Sequence, residues 1–272
     1  NGTFDVSLQV TIPNEWEKIA PINVGYTAGI ETNKVAPIWL QKGNQNVDNI
    51  IVVSNHSVNS FKNTVAIATN NQTQQTFEYR LNTPISHVGY PVKNYDNLPD
   101  LNLDVSTDYN FLCVAQFGPR KNLPNTIKWF IEEFHDENVG MILKTNIAKN
   151  CHMDREKLFE DITSFVSQYP NKKCKIYLLH GDMTDEEMHA LYRHKNIFAL
   201  VALPHGEGFG LPIFEAAYSG LPVIATGWSG HLDFLVDEKG KERFYNVAFD
   251  LQPVQNEVVW NDVLIKESMW AF

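Results

Sequence analysis

The chain has 272 residues, a formal charge of −10 at neutral pH and a pI near 5.3. This balance excludes a general binder of nucleic acid or other polyanions, although it leaves room for a local basic pocket. The hydrophobic content of 43% is enough to fill packed cores, and the length suits two domains. No apolar run is long enough to span a membrane, the first residues do not read as a signal peptide, and the three cysteines stand far apart. These features predict a reduced, cytoplasmic protein.

The first third of the chain alternates short apolar runs with polar segments. The apolar runs predict the strands Phe4–Val10, Ile22–Tyr26 and Ile50–Val53. We expect helices around Lys34–Gln41 and after Ser54, and a loop at Asn70–Gln75. The segment Tyr95–Asp108 is rich in Asn, Asp and Leu and is the best candidate for a linker.

From Asn110 onward, short apolar runs alternate regularly with helical patterns. The predicted strands are Phe111–Gln116, Gly140–Lys144, Lys175–Leu179, Ile197–Leu203, Leu221–Ala225 and Phe244–Ala248. The predicted helices are Leu123–His135, Asp154–Gln168, Asp185–Tyr192, Leu211–Tyr218 and His231–Val236. This alternation predicts a parallel sheet covered on both faces. Ligands of such sheets bind outside the carboxyl ends of the strands, so a functional site is expected in the loops there.

A glycine-rich loop, Pro204–Gly210, follows one of these strands and leads into a helix. The glycines allow a ligand to approach the backbone, and the unpaired amides of the first helical turn favour a phosphate. Glu207 in the loop and Glu215 one turn into the helix could accept hydrogen bonds from sugar or ribose hydroxyls. The alternative is a structural turn whose acidic residue favours the helix dipole.

The segment Glu207–Glu215 is similar to the E-x7-E signature of retaining glycosyltransferases with the GT-B fold, and the following Ala216–Ala225 matches the same family. The resemblance implies an α/β protein with two Rossmann-like domains that transfers sugar from a nucleoside-diphosphate sugar, with retention and with no metal or other cofactor. It implies that Glu207 contacts the transferred sugar and that Glu215 binds the ribose. The donor-binding backbone that it implies is Gly208, Phe209, Gly210 and Leu211.

A cationic partner for the diphosphate is expected after the first strand of this half, and Arg120 and Lys121 stand there. Cations at this place would stabilise the charge that develops on the departing diphosphate. The stretch resembles the family's Gly-Arg-x-x-x-Lys-Asn segment, but Gln116 occupies the position of the usual Arg. Either Arg120 replaces that residue or the diphosphate is held less tightly, and we favour the first. Lys121 and Arg120 are therefore assigned, with Glu207, to catalysis.

Other donor and acceptor contacts are implied by the same resemblance. It places the nucleotide base near Met183 and the donor phosphates beside Ser229 and Gly230, in a turn that could equally be a plain connection. Loops of the first domain would face the acceptor, and Thr27 and Glu31 are the residues assigned there. No metal-binding motif or zinc spacing is present in the sequence.

The resemblance also predicts the domain organisation. We expect an acceptor-side domain in residues 1–103 and a donor-binding domain in residues 104–272. About a hundred residues are short for a Rossmann-like domain, so we expect the amino-terminal domain to be incomplete and the sequence to be a piece of a longer chain. The donor would be a UDP-, GDP- or ADP-sugar, and the acceptor a carbohydrate, lipid or protein. The alternatives are a donor-binding module without activity and another GT-B-type enzyme, a sugar-nucleotide epimerase or a phosphorylase.

Overall fold

A computed structural model describes residues 4–272, and its first part is built around a four-stranded parallel sheet. Its elements are β1 (Val6–Val10), β2 (Ile22–Thr27), α1 (Pro37–Asn46), β3 (Asn49–Val52), α2 (Asn55–Asn63), β4 (Ala66–Thr69), β5 (Thr76–Tyr79) and β6 (Ile85–His87). The sheet order is β1-β2-β3-β6, with every neighbouring pair parallel. Strands β4 and β5 form a separate antiparallel hairpin.

Local sequence explains where these elements begin. Helix α1 starts at Pro37, three residues later than predicted, because a proline fits the first helical position and holds the preceding Ala36 in extended conformation. The Ser54 hydroxyl caps α2 by accepting a hydrogen bond from the Ser57 amide at 3.2 Å. The polar stretch 70–75 is the turn of the β4–β5 hairpin, whose strands and β6 the sequence did not predict.

The second part is a six-stranded parallel sheet with helices on both faces. Its elements are β7 (Asn110–Val114), α3 (Leu123–Glu133), β8 (Gly140–Lys144), α4 (His152–Val166), β9 (Lys175–Leu179), α5 (Asp185–Tyr192), β10 (Ile197–Ala202), α6 (Leu211–Tyr218), β11 (Val223–Thr226), α7 (Leu232–Leu235) and β12 (Tyr245–Val247). The order is β12-β11-β10-β7-β8-β9. All eleven predicted elements are found, with ends shifted by no more than two residues. The predicted α/β fold with parallel sheets is therefore confirmed.

The second sheet is buried on both faces. Along β8, Met141 and Leu143 pack into one apolar cluster and the intervening Ile142 packs into another. This alternation is the period of a strand, and it explains why the run is continuously apolar. The first sheet packs on its own cluster, which includes Trp16 and Trp39.

Two segments connect the sheets. Residues 88–109 pass from β6 to β7 without helix or strand, and they include the predicted linker. The carboxy-terminal residues form a hairpin of β13 (Leu251–Pro253) and β14 (Met269–Ala271) and return to the first sheet. There the Met269 amide donates to Oδ1 of Asn33 at 2.8 Å. The boundary between residues 103 and 104 and the incompleteness of the first domain stay predictions.

None of the helices within residues 4–272 has the length and apolar character that crossing a membrane requires.

Candidate active site

The glycine-rich loop between β10 and α6 places Glu207 at the centre of a charged cluster. The Glu207 carboxylate is buried, with only 10% of its side chain exposed. It pairs with Nη1 of Arg120 at 3.0 Å and with Nζ of Lys121. Both cations lie in the turn between β7 and α3, so the carboxyl ends of two adjacent strands supply the three side chains.

Glu31 adds a second carboxylate from the first sheet. It lies after β2, and its Oε1 is 3.7 Å from Nε of Arg120. Arg120 therefore stands between two carboxylates, Glu31 and Glu207, and also donates to the carbonyl oxygen of Gly206 at 3.0 Å. The predicted acceptor-side residue and the predicted catalytic residues meet in one cluster.

The environment drives the pKa values of the two carboxylates apart. Burial acts to raise the pKa of Glu207, but Lys121 and Arg120 outweigh burial, so the net shift is downward and this carboxylate is ionised. Burial raises the pKa of Glu31, and the nearby Glu207 carboxylate raises it further. Arg120 and Lys121 act to lower this pKa, but their attraction is too weak to reverse the rise. The cluster thus holds one carboxylate firmly ionised and another that accepts a proton more easily than usual.

The Thr226–Gly230 turn fixes the loop that carries Glu207. The Glu207 amide donates to Oγ of Ser229 at 2.9 Å, and the Gly230 amide donates to the Glu207 carbonyl oxygen at 2.9 Å. A Cβ at Gly230 would overlap the carbonyl oxygen of Gly208, so only glycine allows this approach. Ser229 and Gly230 hold the glycine-rich loop in place.

The first sheet also contacts this loop. The Ser54 hydroxyl, fully buried at the end of β3, donates to the carbonyl oxygen of Gly208 at 2.6 Å. A Cβ at Gly208 would overlap the carbonyl oxygen of Ala28. Close contact between the two sheets at this point therefore depends on a serine hydroxyl and on a glycine.

The amino terminus of α6 offers free backbone donors. Gly210 precedes the helix in left-handed conformation, with φ of 90°. Within the described part of the chain, no acceptor contacts the amides of Phe209, Gly210 or Leu211. Unpaired amides at the positive end of a helix dipole attract an anion, and here they lie next in sequence to Glu207.

Glu215 lies one turn further along α6 and lines a separate cleft of about 270 Å³. Its Oε2 accepts a hydrogen bond from the Tyr192 hydroxyl at 3.0 Å. Burial raises the pKa of Glu215, and the Tyr192 hydrogen bond opposes this shift. Tyr90 and Tyr95 of the connecting segment form the opposite wall. A carboxylate facing aromatic rings suits a ligand with hydroxyl groups and an aromatic ring.

Comparison with known proteins identifies the family of this site. The family model described as "Glycosyl transferases group 1" matches residues 99–245, more than half of the chain. The chain belongs to this family.

Curated relatives agree with the assignment to this glycosyltransferase family. The "Serotype-specific mannosyltransferase WbdA" of Escherichia coli is 30% identical over 201 residues, which are 69% of this chain and 22% of that protein. "Uncharacterized protein 356" of Sulfolobus islandicus rod-shaped virus 1 is 24% identical over 72% of this chain and 49% of its own length. The chain thus spans about a fifth to a half of the curated relatives it matches.

Solved structures of glycosyltransferases share the fold. The sucrose-phosphate synthase of Thermosynechococcus elongatus superposes with a TM-score of 0.56 at 16% identity, covering 84% of this chain and 54% of that one. TarM of S. aureus superposes with a TM-score of 0.50 at 15% identity, covering 84% of this chain and 41% of TarM. These likenesses support the GT-B type of fold.

Besides Glu215, three further residues of the predicted site lie outside the charged cluster. Gln116 is exposed and donates to the carbonyl oxygen of Ile147 at 2.7 Å, and no hydrogen bond within residues 4–272 joins it to Glu207. Met183 packs against the core at the start of α5, and Thr27 is buried at the end of β2. Arg120 and Lys121 pair with Glu207, whereas Gln116 does not. That Arg120 replaces the family's usual Arg stays a prediction, as do the functional roles of all these residues.

Several contacts of the site were missed by the sequence analysis. Ser54 contacts the glycine-rich loop, and Tyr192 contacts Glu215. Tyr90 packs against Phe209, with ring centroids 5.0 Å apart. Only Ser54 carried a signal, since it is the helix N-cap after a strand whose carboxyl end faces the cleft. The two tyrosines are brought in by tertiary packing that no local pattern encodes.

Proposed function

We propose that this glycosyltransferase moves a sugar from a nucleoside-diphosphate sugar to an acceptor with retention of anomeric configuration and without a metal ion. The observation that carries the proposal is the cluster of Arg120, Lys121 and Glu207 beside the free amides that begin α6. This combination offers two cations and a helix dipole to a diphosphate and a carboxylate to sugar hydroxyls.

The chemistry follows from where charge develops. When the bond between the sugar and the diphosphate breaks, negative charge grows on the leaving diphosphate. The amides of Phe209 to Leu211 stabilise that charge, and Arg120 and Lys121 do so by exchanging part of their contact with Glu207 for the diphosphate. Glu207, held ionised by the same cations, orients the sugar through its hydroxyls. Glu215 accepts hydrogen bonds from the ribose in the neighbouring cleft.

Related proteins support the donor class. WbdA is described as a mannosyltransferase, and one crystal structure of TarM contains UDP. Retention is supported by the resemblance of Glu207–Glu215 to the E-x7-E signature. The preference for one base rests on the cleft beside Glu215, which is lined by Tyr90, Tyr95 and His189. The preference for one sugar rests on the surroundings of Glu207.

Calorimetric titration with UDP, GDP and ADP and with their sugar conjugates tests the proposal. We expect one nucleoside diphosphate to bind with a clear preference, and EDTA to leave its binding and any transfer unchanged. NMR of the product then reports the anomeric configuration. Binding of none of the three nucleotides would contradict the proposal. Donor binding with neither transfer nor hydrolysis identifies a binding module, and conversion of the donor alone into an epimeric sugar identifies an epimerase.

A further inference from the structure

The amino terminus of α2 is held by a side chain from a helix of the second sheet. The amide of Asn55, the first residue of α2, donates to Oδ2 of Asp233 in α7 at 2.7 Å, and Nδ2 of Asn55 donates to the same oxygen at 3.2 Å. The first amides of a helix have no acceptor within the helix, and the helix dipole favours a carboxylate beside them. The first turn of α2 contains no acidic residue, so Asp233 supplies this charge across the boundary between the two sheets.

This contact closes a ring of hydrogen bonds around the glycine-rich loop. On one side, the Gly230 amide donates to the carbonyl oxygen of Glu207 at 2.9 Å, two residues before α7 begins. On the other side, the Ser54 hydroxyl, directly before α2, donates to the carbonyl oxygen of Gly208 at 2.6 Å. The hydrogen bonds of Asp233 to α2 join the two sides. We call this closed ring, from the loop through α7 and α2 back to the loop, the loop clamp.

Ring packing beside the loop clamp fixes the first turn of α2 on the second part of the chain. His56, the second residue of α2, packs edge-on against Trp228, with ring centroids 4.9 Å apart. Trp228 belongs to the Thr226–Gly230 turn, which also holds the loop of Glu207. Asn55 and Asp233 themselves are exposed, so a change at Asp233 opens the loop clamp without leaving a cavity in either core.

The loop clamp directly precedes the backbone amides that the proposed function assigns to the diphosphate. Phe209, Gly210 and Leu211 follow the clamped residues in sequence, and their amides contact no acceptor in residues 4–272. A loop that is already ordered in the free protein does not have to be ordered by the ligand, so the ligand binds more tightly. We propose that Asp233 is a positioning residue, which fixes these amides for a diphosphate by closing the loop clamp. This role rests on the proposed function.

The sign of the change in affinity tests the proposal, because electrostatics alone predicts the opposite effect. Removing a carboxylate near an anion site reduces repulsion and should tighten the binding of an anion slightly. In calorimetric titrations we expect Asp233→Ala to weaken pyrophosphate binding about fivefold, because the loop clamp opens. Asp233→Asn loses the same charge but keeps an oxygen that accepts both hydrogen bonds, so it should bind pyrophosphate at least as tightly as wild type. Asp237→Ala is the matched control, since Asp237 pairs with Arg243 at 2.8 Å outside the loop clamp, and it should not weaken binding.

A double variant tests whether Asp233 and Ser54 act in the same clamp. Ser54→Ala removes the hydroxyl that holds Gly208 and should also weaken pyrophosphate binding about fivefold. Because either change opens the same ring, the double variant should lose no more than about tenfold, well below the product of about 25-fold for independent effects. Thermal melts show which variants are folded, and if Ser54→Ala is not, the comparison of Asp233→Ala with Asp233→Asn decides alone.

The outcomes separate the loop clamp from the proposed function. Pyrophosphate binding that is unchanged or tighter in Asp233→Ala would overturn the role of Asp233, and so would equal weakening by Asp233→Asn. Either result leaves the proposed function standing, because wild-type protein still binds pyrophosphate. Wild-type protein that binds no pyrophosphate would overturn the proposed function, and the role of Asp233 with it.

Discussion

Replacing Glu207 with glutamine should tighten the binding of a diphosphate while destabilising the free protein. In the free structure the carboxylate holds Arg120 at 3.0 Å and also pairs with Lys121. A diphosphate that binds these cations must compete with Glu207 for them. Glu207→Gln keeps the size of the side chain but removes the competing charge, so both cations become available to the ligand. The free protein should be less stable, because its buried ion pairs are lost.

The size of each effect follows from the burial of the ion pairs. Breaking a fully buried pair by removing one partner costs about 3–5 kcal/mol. Arg120 is 33% exposed and keeps Glu31 as a second partner, so we expect a smaller loss, about 2–3 kcal/mol. At roughly 2–4 °C per kcal/mol for a chain of this size, Tm should fall by about 5–10 °C. Relief of charge competition should tighten pyrophosphate about tenfold, or ~1.4 kcal/mol.

Pyrophosphate is the appropriate probe because it carries the charge without base or sugar. Calorimetry at low and at high salt gives its Kd, and thermal melts with and without pyrophosphate give the linked change in Tm. The gain in affinity should shrink as salt increases. Glu238→Gln, a change of a carboxylate away from the cluster, is the control for net charge. Unchanged or weaker pyrophosphate binding by Glu207→Gln at low salt would refute the competition between carboxylate and ligand.

Three further predictions address Glu215, Gly208 and Glu31. Glu215→Ala should weaken nucleoside diphosphate binding at least tenfold in calorimetry. It should also cost about 1–3 kcal/mol in urea unfolding, because the buried Tyr192 hydroxyl loses its acceptor. Gly208→Ala should destabilise by several kcal/mol because its Cβ overlaps Ala28, whereas Gly29→Ala, which meets open space, should be nearly neutral. The raised pKa of Glu31 means that the folded state binds the Glu31 proton more tightly than the unfolded state does, so the stability of the wild-type protein falls as the pH rises from the unfolded to the folded pKa. In urea titrations Glu31→Gln should therefore gain stability relative to wild type as the pH rises above about 4. A difference in stability that stays constant with pH would contradict this.

The second sheet was predictable because its signals are local. Most of its strands are short, largely apolar runs, and several helices begin with a recognisable cap or proline. Thr184 forms the capping box that its spacing to Glu187 predicts. The loops at the carboxyl ends of these strands then had to lie at one edge of the sheet. The alternation of strands and helices therefore explains why Lys121 and Glu207, 86 residues apart in sequence, lie at the same edge of the sheet, and their contact follows because β7 and β10 are neighbouring strands.

The first sheet and the wall of the cleft beside Glu215 were less predictable. Strands β4, β5 and β6 are only three or four residues long, and most of their residues are exposed or half-buried, so neither length nor apolar pattern marks them. The tyrosines opposite Glu215 belong to a connection without regular structure. Their position depends on how the two sheets pack, which is a property of the whole chain.

The arrangement of the two sheets explains why the charged cluster contains residues from both. The loop of Glu207 is held from one side by Ser229 and from the other by Ser54, which belong to different sheets. Arg120 likewise links Glu207 to Glu31, across the same boundary. A ligand that draws Arg120 away from the carboxylates therefore changes a contact between the sheets as well as the contact of Arg120 with the glycine-rich loop. We therefore expect donor binding and the position of the first sheet to be linked through the Arg120 guanidinium.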